Sequence, residues 1–189
     1  MNGNYGKAAG IVSIVLSAAL WSGCATNLRK PDAPPMPTKV KLSTFKSVSM
    51  KTVVVDPKFA GASANEKARK KINELLVTQM KMVFPELNPI EADAKVDAKD
   101  QKVLLIEPMI EEIKFIGGAA RFWVGAMAGS SAVLMKVTFI DAATGDILSA
   151  PQFYKAGNAM GGAYSMGSTD NQMLDQVVQD IAMYAKINL

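Results

Sequence analysis

The chain contains no histidine at all. Histidine is the commonest general base and the commonest metal ligand, so its absence excludes a Ser-His-Asp triad, a Cys-His pair and the usual zinc sites. The chain also has a single cysteine, Cys24, and therefore cannot form an internal disulfide. These absences predict a protein that is not an enzyme and that uses no metal and no cofactor. Only chemistry based on carboxylates survives them.

The excess of basic over acidic residues is small as well. The chain has 21 lysines and arginines against 17 aspartates and glutamates, which gives a formal net charge of +4. A nucleic-acid-binding protein gathers basic residues on one face, and so slight an excess provides no such footprint. The sequence therefore predicts no nucleic-acid partner.

The N-terminus carries a short hydrophobic leader. Lys7 precedes an almost wholly apolar run from Ala8 to Leu20, an arrangement typical of a secretory signal peptide. This run is too short for a membrane-spanning helix, which needs about 20 apolar residues. Ser22, Gly23 and Cys24 then resemble the lipobox of bacterial lipoproteins, in which the cysteine becomes the acylated first residue. We expect a signal peptide over residues 1–23 and lipidation of Cys24.

The lipobox match is imperfect, because Trp21 occupies the position where the pattern usually has leucine. A cut after Ala25 would instead leave a free periplasmic protein. In characterised lipoproteins, alanine directly after the cysteine does not cause retention at the inner membrane. The resemblance thus implies a bacterial protein on the periplasmic side of the outer membrane, with the membrane as a partner through its N-terminal lipid.

The mature chain divides into a tether and a domain. Residues 24–39 contain four prolines within a short stretch, and this spacing favours an extended polyproline-like conformation. We therefore expect a proline-rich tether between the lipid and the folded part. Residues 40–189 are numerous enough for a single domain with a substantial core.

The first half of this domain shows two strand patterns and one helix pattern. Residues 40–48 and 52–55 are predicted as short strands because of alternation and β-branching. Ser63 and Glu66 have the spacing of a capping box and predict the start of an amphipathic helix. Pro85 predicts its end.

The next segment is predicted as a loop followed by a strand. Residues 86–102 are polar, and residues 103–116 are strand-like. Pro108 and the adjacent Glu111 and Glu112 indicate a bulge or an edge position in that strand. On a regular strand the two glutamates point in opposite directions.

The second half of the domain has clearer patterns. Residues 133–140 alternate as a strand, Gly145 suits a left-handed turn, and residues 147–155 are predicted to return antiparallel. Residues 169–185 form an amphipathic helix pattern. Neither helix is stable alone, so both must pack on the sheet. The order predicts an α+β fold, with a mainly antiparallel sheet of about four to five strands and two helices packed on one face.

Two glycine-rich segments are candidates for recognition. Residues 117–131 hold Arg121, Phe122 and Trp123, and residues 157–169 hold Tyr164 among four glycines. The aromatics of the first segment either belong to the core or anchor an interface, as tryptophan and arginine often do. The second segment is either a contact surface or a solvated loop. We expect Arg121, Phe122, Trp123 and Tyr164 to contact a partner.

Three short patterns along the chain are similar to a known family. They are R-F-x-x-G from Arg121, A-G-S from Ala128 and D-x-x-T-G from Asp141. Together they resemble an uncharacterised bacterial lipoprotein family, a domain of unknown function. This resemblance covers most of the mature chain and implies no reaction, ligand or catalytic residue.

These observations favour a non-catalytic outer-membrane lipoprotein that docks onto an envelope protein partner. One alternative is a periplasmic binder of a small ligand or cell-wall fragment, which would use a pocket between sheet and loops. Another is a carboxylate-based hydrolase, for which Glu107, Glu111 and Glu112 are the first residues to test. The sequence leaves the partner, the ligand and the oligomeric state open.

Overall fold

A computed structural model describes residues 28–98, 102–115, 130–157 and 168–189. A short 3-10 helix, Leu42–Thr44, opens the domain within a stretch that was predicted as a strand. The helices are α1 (Ser63–Val83) and α2 (Ser168–Ile187). The strands are β1 (Ser47–Lys51), β2 (Val54–Val55), β3 (Leu87–Ile90), β4 (Val103–Lys114), β5 (Ala132–Asp141), β6 (Ile147–Ser149) and β7 (Gln152–Ala156).

The strands of the described residues form one mixed sheet. Its order is β3-β1-β4-β5-β6, while β2 also pairs with β4 and β7 with β5. β1 runs parallel to β3 and β4, and β2 runs parallel to β4. β5 is antiparallel to β4, β6 and β7. The predicted α+β class is confirmed, but a mainly antiparallel sheet of four to five strands was wrong, since the sheet formed by the described residues is mixed and has seven strands.

α1 accounts for the parallel half of the sheet. Parallel neighbours need a crossover connection, usually a helix, and α1 provides it between β2 and β3. β3 lies within the segment that was predicted as a loop. It was missed because Asn88 and Pro89 are poor strand residues. Pro89 is tolerated because β3 lies at the edge of the sheet.

A proline interrupts the parallel pairing along β4. β1 pairs with residues 103–106 of β4, and β2 pairs with Met109 and Ile110, so Pro108 lies between the two pairings. Proline has no amide hydrogen to donate to a neighbouring strand. In the gap between β1 and β2, the buried Val53 amide instead donates to Asn73 Oδ1 of α1 at 3.0 Å. The helix thus satisfies a backbone donor that lies where the strand pairing is interrupted.

Of the two alternatives predicted for β4, a bulge or an edge position, the structure shows the bulge. The register between β4 and β5 shifts between Ile110 and Glu112, and β4 has neighbours on both sides. Because a bulge opposes two residues to one, it changes the alternation of side chains. Glu111 and Glu112 consequently line the same cavity, so the prediction that they point in opposite directions was wrong.

The main core lies between the sheet and the two helices. α1 and α2 contact each other, and both pack on the sheet, so they cover the same face as predicted. Alternate residues of β5 supply the centre of this core because strand side chains alternate between faces. The fully buried β5 residues are Val133, Met135, Val137 and Phe139. The opposite face, which we call the open face, carries Leu134 and the other intervening residues.

Candidate functional site

Five of the predicted site residues lie outside the described residues. They are Cys24, Arg121, Phe122, Trp123 and Tyr164. The described residues do include the points at which the two glycine-rich segments join the sheet. Those junctions, together with the residues that follow Cys24, define the candidate site.

The two glycine-rich segments join the domain at one end of the sheet. Ala132, the first residue of β5, pairs with Lys114 at the end of β4 and with Ala156 at the end of β7. The Gly157 amide donates to the Ser131 carbonyl oxygen at 2.7 Å, which holds the two junctions together. We call this end of the sheet, defined by Lys114, Ala132 and Ala156, the loop end. Both glycine-rich segments therefore leave the sheet from the two strands that flank the start of β5.

A small apolar cluster lies at the loop end on the open face. Leu28 is only 9% exposed and packs with Ala132 and Leu134, while Tyr154 is partly buried against them. Leu134 lies between two residues of β5 that point into the main core, so its own side chain points to the other face. The cluster fixes the start of the described chain on the side of the sheet opposite the helices.

Residues 28–39, which we call the strap, run from this cluster to the C-terminal end of α2. The Tyr184 hydroxyl donates to the Met36 carbonyl oxygen at 2.7 Å. The Thr38 amide donates to Asn188 Oδ1 at 2.8 Å. The Lys39 amide donates to a carbonyl oxygen of β6 at 3.2 Å. The proline-rich part of the predicted tether is thus in contact with the domain at both of its ends.

The strap and α2 enclose an apolar groove. Its volume is about 790 Å³, and its lining combines prolines of the strap with side chains of β7 and α2. Met183 and Ile187 of α2 line it although they are 56% and 75% exposed. Asp180 also lines the groove and pairs with Lys155 at 2.9 Å. The groove offers a mainly apolar surface with few free charges.

Tyr184 connects the strap to the main core. Its ring lies 5.6 Å from that of Phe139 and 5.7 Å from that of Phe153, measured between centroids. Burial raises the pKa of the Tyr184 hydroxyl above its ordinary value of 10.0. The protonated form, which donates to the strap, is therefore favoured in the folded protein. The stability that depends on the protonated Tyr184 hydroxyl is fully present below pH 10.0 and is lost as the pH rises through the raised pKa of the folded state.

Tyr184→Phe should loosen the strap while leaving the core intact. The substitution removes one hydrogen bond but keeps the ring, so we expect a loss of about 0.5–1.5 kcal/mol in the free energy of unfolding. Urea unfolding measures this loss, and limited trypsin digestion at Lys39 should become faster. Tyr154→Phe is the matched control, because it removes a hydroxyl from the same groove without touching the bond to Met36. An unchanged digestion rate in Tyr184→Phe would contradict the role of this bond.

A second cavity lies between the strap and the open face. Its volume is about 860 Å³. Its charged lining residues are Arg29, Lys30, Asp32, Asp56, Lys58, Glu111 and Glu112. Glu111 accepts a hydrogen bond from Gln152 Nε2 at 2.5 Å. Since three basic residues face four acidic ones, this surface has almost no net charge.

Two of the three carboxylates that were the first candidates for hydrolysis, those of Glu107 and Glu111, interact with other side chains. Glu107 lies on the open face and pairs with Lys51 Nζ at 2.7 Å. Glu111 is held by Gln152. Within the described ranges, histidine, cysteine, aspartate and glutamate form no group of three that could hold a metal ion. Nothing in this arrangement indicates a reaction, and the absence of catalysis stays a prediction.

Sequence reasoning missed the residues that hold the strap. Leu28 is an isolated leucine in a polar stretch, and Tyr184 and Asn188 lie about 150 positions further along the chain. Such distant contacts leave no periodic pattern in the sequence. The one available signal was Tyr184 itself, because a buried tyrosine usually finds a partner for its hydroxyl.

Within the part of the chain that the structure describes, neither helix has an apolar stretch long enough to cross a membrane. No curated protein matches the chain in sequence. Several solved structures are similar to the chain, at very low sequence identity and with TM-scores below 0.5.

One is a PelC dodecamer from Paraburkholderia phytofirmans, with 11% identity and a TM-score of 0.46, covering 79% of this chain and 94% of that one. A DUF330-family protein from Xanthomonas campestris has 7% identity and a TM-score of 0.47, covering 84% and 90%. A lipoprotein from Neisseria meningitidis has 10% identity and a TM-score of 0.32, covering 72% and 96%. These likenesses are too distant to indicate what this chain does.

A family model gives a firmer result. It matches residues 40–186, which is most of the chain and nearly all of the predicted domain. The expected membership of a family described as a domain of unknown function is thereby confirmed. The chain belongs to the DUF4410 family, a domain of unknown function.

Proposed function

We propose that this protein is a non-catalytic lipoprotein of the outer membrane, held on the periplasmic side by an acylated Cys24. It docks onto an envelope protein partner through the loop end of its sheet. The observation that carries this proposal is the bond between the Gly157 amide and the Ser131 carbonyl oxygen, which joins the end of the first glycine-rich segment to the start of the second.

The leader sequence supports the envelope location. A positive charge, a short apolar run and small residues before Cys24 are the features of an exported and lipidated protein. A lipid at Cys24 then supplies the attachment to the membrane. Stable anchoring needs more than one acyl chain or a second signal, and lipoprotein-type modification of the N-terminal cysteine satisfies this need.

The loop end supports the docking role. Both segments that carry the candidate contact residues attach there, and each attachment is fixed by backbone pairing. An interface draws most of its binding energy from a few central aromatic and arginine residues. Arg121, Phe122, Trp123 and Tyr164 provide such residues on two segments that both join the sheet beside Ala132.

The docking proposal predicts a specific effect of Trp123→Ala. If Trp123 anchors the interface, this substitution should weaken association with the partner by more than about 1 kcal/mol, which is about fivefold in Kd. In-cell photo-crosslinking from position 123, with Cys24 intact, first identifies the partner by mass. Titration with the purified partner then gives the two dissociation constants.

Met82→Ala is the control, because Met82 is 66% exposed on α1 and lies far from the loop end. Circular dichroism must show that Trp123→Ala is folded. Unchanged association of a folded Trp123→Ala variant would remove Trp123 from the interface. The absence of any discrete crosslink would contradict docking through this segment.

The groove under the strap supports a second candidate function. A volume of about 790 Å³ with aromatic and proline lining falls within the usual range of small-molecule sites. A periplasmic binder of a small ligand or cell-wall fragment would use it. Such a protein should show a thermal shift with soluble muropeptides, and Met183→Trp should abolish the shift by filling the groove. A docking protein without a ligand should show no thermal shift in either the wild-type protein or the Met183→Trp variant.

A further inference from the structure

The strap limits the distance between the domain and the membrane. Only three residues separate Cys24 from Leu28, so their Cα atoms are at most about 14 Å apart even in a fully extended chain. Leu28 itself is packed against Ala132 and Leu134. A free polyproline-like tether over the whole segment from Cys24 to Lys39 would instead reach about 45 Å.

We infer that the open face at the loop end, around Leu28 and Leu134, lies at the bilayer surface when Cys24 is acylated. This inference rests on the proposed lipid anchor and adds the orientation of the domain to it. The strap is then a clamp that holds the domain close to the membrane, and the helices face away from it.

The strap contacts the domain near both of its ends. Leu28 is buried at one end, Met36 is bonded to Tyr184, and Thr38 is bonded to Asn188. Loss of the Leu28 contact alone would lengthen the free segment as far as Met36, and complete detachment also requires loss of the bonds to Tyr184 and Asn188. For as long as all of these contacts hold, the folded domain cannot move away from the bilayer by more than the few residues before Leu28 allow.

Charge does not account for this orientation. The cavity beside Leu28 is lined by three basic and four acidic residues, and Arg29 pairs with Asp32 at 3.4 Å. Anionic lipids therefore gain little by approaching this surface. The short connection to the lipid determines the orientation, so it should not depend on the charge of the bilayer.

Lys58 and Met82 mark the two sides of the domain. Lys58 follows β2, which pairs with Met109 and Ile110 toward the loop end, and it lines the same cavity as Arg29. Met82 lies at the other end of α1, on the helical side of the sheet. α1 has 21 residues and is about 30 Å long. The two positions therefore lie at opposite ends of the domain and on opposite faces of the sheet.

The test uses the full lipidated protein in vesicles with a quencher attached to the lipid headgroups. Lys58→Cys and Met82→Cys are each labelled with the same thiol-reactive dye, since acylated Cys24 does not react. We expect most of the emission to be lost at position 58 and little at position 82. The difference should persist in phosphatidylcholine vesicles with or without phosphatidylglycerol.

A release variant links the result to the strap. Leu28→Asp combined with Asn188→Ala removes the apolar contact and a hydrogen-bond acceptor, and it should bring the quenching at position 58 toward that at position 82. Equal quenching of both labels in an acylated, folded wild-type background would overturn the inference. So would a difference that vanishes without phosphatidylglycerol.

Mass spectrometry of the N-terminal peptide separates the two proposals. An acylated protein with equal quenching overturns only the orientation. A protein without an acyl mass, which does not sediment with the vesicles, overturns the proposed anchor and the orientation together. An acylated protein with strong quenching at position 58 alone supports both.

Discussion

Phe139→Ala should lower the free energy of unfolding by about 3–5 kcal/mol, the largest stability change we expect from a single substitution in this chain. Phe139 is fully buried near the C-terminal end of β5, and its ring packs against that of Tyr184. Its truncation removes apolar burial and leaves a cavity between the sheet and α2. Because domains of this size are stable by only about 5–15 kcal/mol, much of the total stability would be lost. Urea unfolding followed by circular dichroism measures the change.

The consequences of Phe139→Ala should extend to the strap. Tyr184 packs on Phe139 and donates to Met36, so a displaced Tyr184 ring weakens the contact at the strap as well. Trypsin should therefore cut at Lys39 faster in this variant than its global stability alone predicts. Met82→Ala, on an exposed part of α1, should change stability by less than about 0.5 kcal/mol. A loss below about 1 kcal/mol for Phe139→Ala would contradict the packing described for the core.

Elements with a sustained pattern could be predicted from the sequence. The strict alternation over residues 133–140 gave β5, which spans Ala132–Asp141. The apolar spacing after Ser63 gave α1, which ends at Val83 just before Pro85. The left-handed conformation expected of Gly145 is confirmed, with φ at +79°. Each of these patterns depends on neighbours in sequence, which is why sequence alone contains the information.

Local details of the same elements were less predictable. The capping box expected at Ser63 and Glu66 is wrong, since Ala62 is the N-cap and no side chain caps the helix. Glu66 pairs instead with Arg69 at 2.9 Å. The single return strand expected over residues 147–155 is divided into β6 and β7, and Val137 donates to the carbonyl oxygen of Pro151 between them. Individual side-chain and backbone contacts, such as the Glu66–Arg69 pair, determine where a helix is capped and where a strand is divided.

The parallel half of the sheet could not be predicted because its evidence is not local. β1, β2 and β3 are short, and β3 contains Pro89, so none shows a long strand pattern. Their arrangement is determined by the crossover through α1 and by the position of Pro108 in β4. The prediction of a mainly antiparallel sheet followed from the clear β4 and β5 patterns, and the sequence carried no signal for β3 or for the parallel direction of β1 and β2.

The candidate site shows the same division. Composition and spacing predicted a role for Cys24 and for the two glycine-rich segments, because each of these signals lies among residues that are neighbours in sequence; these stay predictions. The strap depends on contacts of Met36 and Thr38 with Tyr184 and Asn188, far apart in sequence. The composition of this proline-rich stretch predicts a spacer, and only the three-dimensional contacts show that it is packed against the domain. The predicted boundary at residue 39 rests on a change of composition and stays a prediction, while the contacts above show that the strap packs against the domain.

Cys24→Ala should release the protein from the membrane completely. The substitution removes the sulfur that would carry the proposed lipid, and neither helix of the described residues is long and apolar enough to cross the bilayer. Small residues at positions 22, 23 and 25 still permit ordinary cleavage of the leader, so we expect a soluble periplasmic protein. Sedimentation of membranes measures the release, and mass spectrometry of the mature N-terminus reports cleavage and acylation. Lys30→Ala, beyond the cleavage site, is the control and should remain membrane-bound. A processed Cys24→Ala protein that still sediments with membranes, or a wild-type protein that begins at Thr26 without an acyl mass, would contradict the anchor.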